Sequence, residues 1–232
     1  MHKHSRRVNQ VNVRENMLID ELIFELKGSG FTGGRLADAC DIFRDMVYDP
    51  ETKVFFGLAG ALIPAGQRKI IVEGINRNFF DVLVTTGATL THDLIEGFGF
   101  HHQRGYEDET DIHLRKRGIN RIYDVFIPDE AFIQLEKRLH SILDIYYPSK
   151  DQTTVIPTHE LLRVLGEHLK DPCSILSAAA NKQIPVFCPA ITDSILGLHI
   201  MIYAQQNGLI IDPLKELQEI INIAFDASET GA

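Results

Sequence analysis

Apolar residues recur along this chain with two different spacings, and the two alternate. Leu36, Ala39, Cys40, Phe43, Met46 and Val47 repeat every three or four positions, one stripe of a helix that Asp49-Pro50 ends. Lys53-Val54-Phe55-Phe56-Gly57-Leu58 is instead a short apolar run bounded by turn residues, and predicts a buried strand. A small-residue loop with Gly60, Pro64 and Gly66 then leads into a predicted helix over 67–78. Phe80-Asp81-Val82-Leu83-Val84-Thr85 predicts a second buried strand. Strand, helix and strand within about thirty residues is the size of a βαβ crossover, which makes the strands parallel.

The alternation resumes later. Residues 158–170 and 172–182 predict helices, Ile184-Pro185-Val186-Phe187-Cys188 a strand, and 194–206 a helix that begins after Asp193. Leu209-Ile210-Ile211 predicts a short strand, and 214–225 a last helix with Leu214, Leu217, Ile221 and Phe225 on one face. Such a pattern argues an α/β fold, a doubly wound and mostly parallel sheet with helices on both faces. Residues 100–155 are less regular, and His101 to Glu109 reads as an exposed excursion from the sheet. There is no internal repeat. The pattern stops after its last helix, where another strand is expected, so the sheet reads as truncated on its C-terminal side.

Composition changes this picture little. Of 232 residues, 44% are apolar and 24% charged, enough for one large soluble domain. The first fifteen residues carry Lys3, Arg6, Arg7 and Arg14 and read as a basic flexible tail, 1–15, ahead of a single domain, 16–232. A net charge of −9 argues against nucleic acid as the main partner and suits a cationic one. No stretch approaches the roughly 18 apolar residues of a membrane helix, and the N-terminus lacks a secretory apolar core, so the expected location is cytoplasmic, with no membrane partner. Cys40, Cys173 and Cys188 are odd in number and far apart, and read as reduced, buried residues.

Ligands of open α/β sheets bind beyond the carboxyl ends of the strands. Three segments reach that edge: Gly60-Ala61-Leu62-Ile63-Pro64, Thr86-Gly87-Ala88 with the helix start behind it, and Thr192-Asp193. Glycine and alanine there let backbone N–H groups approach a phosphate, helped by the positive end of a helix. Asp193 suits ribose hydroxyls. Plainer readings stand beside these: Gly60 and Gly87 as tight turns, Asp193 as the N-cap of the next helix, Thr91 and His92 as capping and surface residues. Neither G-x-G-x-x-G nor a Walker motif is present. The ten histidines show no zinc spacing, His101-His102 being adjacent and His159 and His168 nine apart. No G-x-S-x-G elbow occurs, and Cys188 reads as core.

Four segments together are more specific. "VFFGLAGALIPAGQRKII", "FDVLVTTGATLTHDLIE", "RKRGINRIYDVFIPDE" and "IPVFCPAITDSILG" resemble the deoxyhypusine synthase family, over a similarity that runs from about residue 15 onward. The resemblance implies a Rossmann-like fold and an NAD-dependent transferase. Such enzymes oxidise spermidine and pass its aminobutyl group, through an enzyme lysine, to one lysine of the translation factor that becomes hypusinated. It also implies homotetramers with active sites between paired subunits. The family's NAD contacts fall here on Gly60, Ala61, Leu62, Ile63 and Pro64, on Thr86, Gly87 and Ala88, on His92 and on Asp193.

The departures from the family pattern bear on substrate. Two glutamates of the eukaryotic-type members stand where this chain has Thr91 and His92, and an aspartate that grips spermidine aligns with Leu198. The expectation is that another carboxylate substitutes, that the amine is different or shorter, or that no polyamine binds. The family's nucleophilic lysine aligns beyond Ala232, and Lys150, Lys170 and Lys182 have no matching context, so no catalytic residue is assigned. Three functions follow: a deoxyhypusine synthase in split or truncated form, a non-catalytic paralogue or half-subunit that docks on a family member carrying the lysine, or a related transferase acting on a small amine, as in homospermidine formation.

Overall fold

The computed structural model describes residues 7–106, 109–148 and 153–229. Lys3, Arg6, Glu107, Asp108, Lys150 and Thr230 to Ala232 lie outside those residues. The chain divides into two units, 1–52 and 53–232.

The first unit is a helical hairpin, α1 (Ile19–Leu26) and α2 (Phe31–Tyr48). The predicted α2 stripe is not its buried face. Gly34 and Ala37 are buried, whereas Leu36, Phe43 and Cys40 are exposed. Small residues bring the helices closest, so the packed side of α2 is the side that looks least apolar in sequence. Cys40 is therefore exposed and Cys173 half-buried, and Cys188 alone is buried as expected. The Asn9 N–H donates to Gly28 O at 2.8 Å, which ties the N-terminal run to the turn between the helices.

The second unit alternates strand and helix: β1 (Phe55–Leu58), α3 (Arg68–Asn76), β2 (Val82–Thr85) and α4 (Gly87–Gly97). After β3 (Gln103–Arg104) and α5 (Asp111–Lys116) come β4 (Ile119–Ile122), β5 (Val125–Pro128) and the long α6 (Asp129–Tyr146). The chain continues through β6 (Thr154–Ile156), α7 (Thr158–His168), α8 (Ile175–Lys182), β7 (Val186–Phe187), α9 (Ile195–Asn207), β8 (Leu209–Ile211) and α10 (Pro213–Glu229). β1, β2 and β7 form one parallel sheet in that order, β6 and β8 a parallel pair, and β3, β5 and β4 a small antiparallel sheet.

Parallel strands are covered on both faces, and the apolar runs of β1 and β2 fit that requirement. Val82 and Leu83 are 1% and 0% exposed. α4 contributes Leu90, Leu94 and Ile95, and α6 contributes Leu135, Leu139 and Leu143, all fully buried. Each such side chain contributes about 1.5–3 kcal/mol by leaving water. α7 and α8 meet closely because residue 166 is glycine; a Cβ there would lie 2.3 Å from Leu176 O. α9 is apolar nearly all round, burying Leu196, Ile200 and Tyr203 while Ile195, Leu198 and Met201 are exposed.

Of the excursion read over residues 101–109, Gln103 and Arg104 form β3, exposed as expected, on one edge of the antiparallel sheet. Ile122 pairs with Val125 across a two-residue turn in which Tyr123 takes a φ of 58°. Tyr-Asp is not the glycine-containing pair that normally marks so tight a hairpin. The "GINRIYDVFIP" segment is this hairpin, and it walls the site.

Candidate functional site

Because β1, β2 and β7 run in parallel, their carboxyl ends share one edge, and the three predicted loops gather there. Thr85 Oγ1 donates to Leu58 O at 2.8 Å and locks the two strand tips together. Beyond Leu58 the chain turns at Gly60, whose φ of +81° is left-handed and whose Cβ position faces open space. Ala61, Leu62 and Ile63 then spend their carbonyls on a tight coil, accepting from Ala65, Gln67 and Gly66. Ile63 and Pro64 are buried; Gly60 and Ala61 are exposed at the edge.

Thr86 caps α4, its hydroxyl accepting from the Thr89 N–H at 3.3 Å. The N–H groups of Gly87 and Ala88 point out of the same helix end, as first-turn amides do. Gly87 is glycine for space: a Cβ would lie 2.2 Å from Ser194 Oγ and 3.2 Å from Ile191 O. The loop after β7 thus rests on the start of α4. Asp193, in that loop, is exposed and does not cap α9; Ser194 does, accepting from the Gly197 N–H at 3.0 Å. The capping alternative for Asp193 is thereby overturned, because the hydroxyl one residue later holds the position.

Thr91 is not a surface residue. It is 2% exposed, donates to Gly87 O at 2.8 Å and accepts from the Leu196 N–H at 3.2 Å, joining α4 to α9. His92, one position on, is half-buried, and its Nδ1 lies 2.9 Å from His102 Nε2. Glu96, one turn further, receives His102 Nδ1 at 2.7 Å, the His102 backbone N–H at 2.9 Å, and His101 Nδ1 at 2.9 Å. Burial alone would raise the Glu96 carboxyl, but these hydrogen bonds outweigh it and hold the group at about 2. Burial, then neighbouring His102, pushes His92 down to about 4 against the weaker pull of Glu96.

A cleft of about 760 Å³ opens beside this helix end. Ala88, Thr91 and His92 form one wall, Ser194 and Ile195 a second, and Asn120, Ile122 and Ile127 of the hairpin a third. Asp129, Phe132 and Ile133 of α6 close it. Among the described residues Asp129 is the one carboxylate in that lining, steadied by Asn120 Nδ2 at 2.6 Å. Leu198 is 49% exposed and outside the cleft, so the structure brings Thr91 and His92 together there without it. A larger depression of about 940 Å³ lies beyond Asn120 and Asp129, toward α5, and gathers none of the predicted residues. Among the described residues no group of three or more histidine, cysteine or acidic side chains is placed to hold a metal ion.

Sequence reasoning missed Asp129, Glu96 and His102. Glu96 is four residues after His92 on one helix face, a spacing that could have flagged it. Asp129 depended on the unrecognised hairpin. The adjacent Asp93, by contrast, is structural: fully buried, it accepts from Arg68 Nε at 2.6 Å, Ser174 Oγ at 2.9 Å, and the Ile175 and Leu176 N–H groups.

An open parallel α/β sheet with a cleft at its carboxyl edge is the class of protein that fold and site define. The profile of the family described as deoxyhypusine synthase matches residues 21–232. The "Probable deoxyhypusine synthase" of Methanosarcina thermophila is 41% identical over 225 residues, 97% of this chain and 69% of that protein. The "Probable deoxyhypusine synthase" of Methanothermobacter thermautotrophicus is 36% identical over 228 residues, 97% and 72% of the two chains. A crystal structure described as a "putative deoxyhypusine synthase" from Entamoeba histolytica superposes with a TM-score of 0.67. It covers 91% of this chain and 75% of its own at 19% identity, which speaks to the fold alone. The chain belongs to the deoxyhypusine synthase family.

Proposed function

We propose that this chain supplies the dinucleotide and amine sites of an NAD-dependent deoxyhypusine synthase-like transferase. The observation that carries this reading is a cleft with one carboxylate, Asp129, opening next to the outward amides of Gly87 and Ala88. The edge fits a dinucleotide: Gly60 leaves its Cβ position open, α4 offers N–H groups and a positive helix end to phosphate, and Asp193 is exposed toward a ribose. When bound, NAD supplies a hydride acceptor. The chain's own residues do the rest. Asp129 holds an ammonium by a charge-assisted hydrogen bond, Phe132, Ile122 and Ile133 shield the alkyl chain from water, and Thr91 and Ser194 fix the cleft's shape.

The parent activity is aminobutyl transfer from spermidine to a lysine of the hypusine-bearing translation factor, the protein partner in this reading. No lysine lines the cleft among the described residues, and Lys170 and Lys182 are exposed elsewhere. The covalent step is therefore assigned to a lysine that a homo- or hetero-oligomer of family members brings to the cleft, in the cytoplasm. Seating on a single carboxylate also favours a second reading, transfer from a small amine as in homospermidine formation.

Calorimetry with NAD, spermidine and 1,4-diaminobutane tests the proposal. Asp129→Asn is expected to weaken the amine by about tenfold or more, the loss of a hydrogen bond to a charged group, and to leave NAD unchanged. Absence of binding by either amine at millimolar concentration in the presence of NAD overturns it. Label transfer from spermidine by the monomeric chain overturns the assignment of the lysine.

A further inference from the structure

We infer that Arg68 is a positioning residue of the dinucleotide edge: one guanidinium fixes the loop after β1 against α4, so that the two stand at the spacing a single dinucleotide bridges. The inference rests on the reading that this edge holds NAD. Gly60 to Gln67 leave β1 as a loop, and Arg68 is the first residue of α3, so whatever holds Arg68 holds the far end of that loop. The near end is tied already, since Thr85 Oγ1 donates to Leu58 O at 2.8 Å. Both ties land on β2 and α4, the strand and helix whose junction carries the Gly87 and Ala88 amides.

The clamp is directional. The buried Arg68 donates through Nε to Asp93 Oδ1 at 2.6 Å, through Nη2 to Asp93 O at 3.0 Å, and through Nη1 to Asp171 Oδ2 at 2.6 Å. It thus grips both the side chain and the backbone of one residue of α4. Asp93 cannot follow a displaced Arg68, because Ser174 Oγ and the Ile175 and Leu176 N–H groups hold the same carboxylate to the start of α8. Asp171 is steadied in turn, its Oδ1 accepting from the Cys173 N–H at 2.9 Å. Among the described residues, Arg68 supplies the hydrogen bonds that join α3 to α4.

Stability alone does not account for this arrangement. Exchanging a buried ion pair for well-packed apolar side chains of similar volume is often neutral or stabilising. What the pair adds is direction: an apolar contact at this position would let the loop slide, and three bonds along fixed lines do not. The loop also moves as one piece, because the Ala65, Gly66 and Gln67 N–H groups close it onto the Ala61, Ile63 and Leu62 carbonyls. Burial of Ile63 and Pro64 holds that piece to the core without such direction. Its place along the edge is therefore set at its two ends, by Leu58 and by Arg68. A lysine could not substitute, since one ammonium replaces a planar fork that reaches three acceptors at once.

Hydrogen exchange read by mass spectrometry, with calorimetry of NAD binding, tests this on the full chain well below its unfolding temperature. Arg68→Lys keeps the charge and removes the fork. It is expected to speed exchange of the Ala65, Gly66 and Gln67 amides, and to weaken NAD about tenfold, the cost of ordering the loop anew on binding. Leu209→Ala, a cavity at a buried residue of the β6–β8 pair, is the control for lost stability and is expected to leave both readouts at wild-type values. Asp171→Asn loosens only the outer arm of the fork. It is expected to move both readouts the same way by less, and it decides by those readouts where Arg68→Lys does not fold. Wild-type exchange and NAD affinity in the clamp variants, or an equal change in Leu209→Ala, overturns the inference alone. Failure of the wild type to bind NAD overturns the dinucleotide reading and this inference with it.

Discussion

At the scale of single residues, two acids of α4, one buried and one half-buried, do different work. Asp93 anchors Arg68, itself 8% exposed and paired on its other side with Asp171 at 2.6 Å. Asp93→Ala strips Arg68 of its fully buried partner and leaves the Ser174 hydroxyl and the Ile175 and Leu176 N–H groups without their acceptor, so it is expected to cost about 3–5 kcal/mol in denaturant unfolding. Glu96 and His92 instead set the response to acid. The unfolded His92 titrates near 6.5 and the folded one at about 4, so the unfolded state binds the extra proton between those values. Stability is therefore full above pH 6.5 and declines as pH falls to about 4. Glu96 acts in the same direction from 4.5 down to about 2. Thermal unfolding across pH 7 to 4 should show a smaller loss in His92→Gln than in the wild type; an equal loss would show that His92 is not the group responsible.

Individual elements carry a separate lesson. α7 meets α8 through Gly166, where a Cβ would strike the Leu176 carbonyl and not a side chain that could swing away. Gly166→Ala should therefore cost about 1–3 kcal/mol, the range for overpacking, read as a lower midpoint with an unchanged denaturant slope. β1, β2, β7 and the helices between them were legible because their residues face one surrounding: apolar runs for strands covered on both sides, stripes for helices covered on one. The stripe of α2 misled because Gly34 and Ala37 pack by being small, which a hydrophobic count does not see. The hairpin was missed because Tyr123 holds its turn without glycine. That omission hid Asp129 and Asn120, and with them the third wall of the cleft. The strand-edge loops could be placed from sequence; the contact between His92 and His102 could not, since the two meet only once the chain reverses after α4.

For the whole molecule, the apolar face of α10 is left uncovered. Leu214, Leu217, Ile221 and Phe225 share that face as predicted, and they are 73%, 44%, 59% and 61% exposed. A contiguous apolar face of this kind marks an association surface. Light scattering is expected to give a mass above 26.2 kDa for the purified chain, reduced toward it by Leu217→Glu with Phe225→Glu. A monodisperse monomer at all concentrations contradicts this. The opposite side of the helix reaches inward. Glu216 is fully buried, accepting from the Cys188 N–H at 2.7 Å and the His159 N–H at 2.7 Å. Those amides close the end of β7 and the start of α7, and they are made well before their acceptor is. On the ribosome, the tip of the central sheet must wait for α10 before it can be sealed.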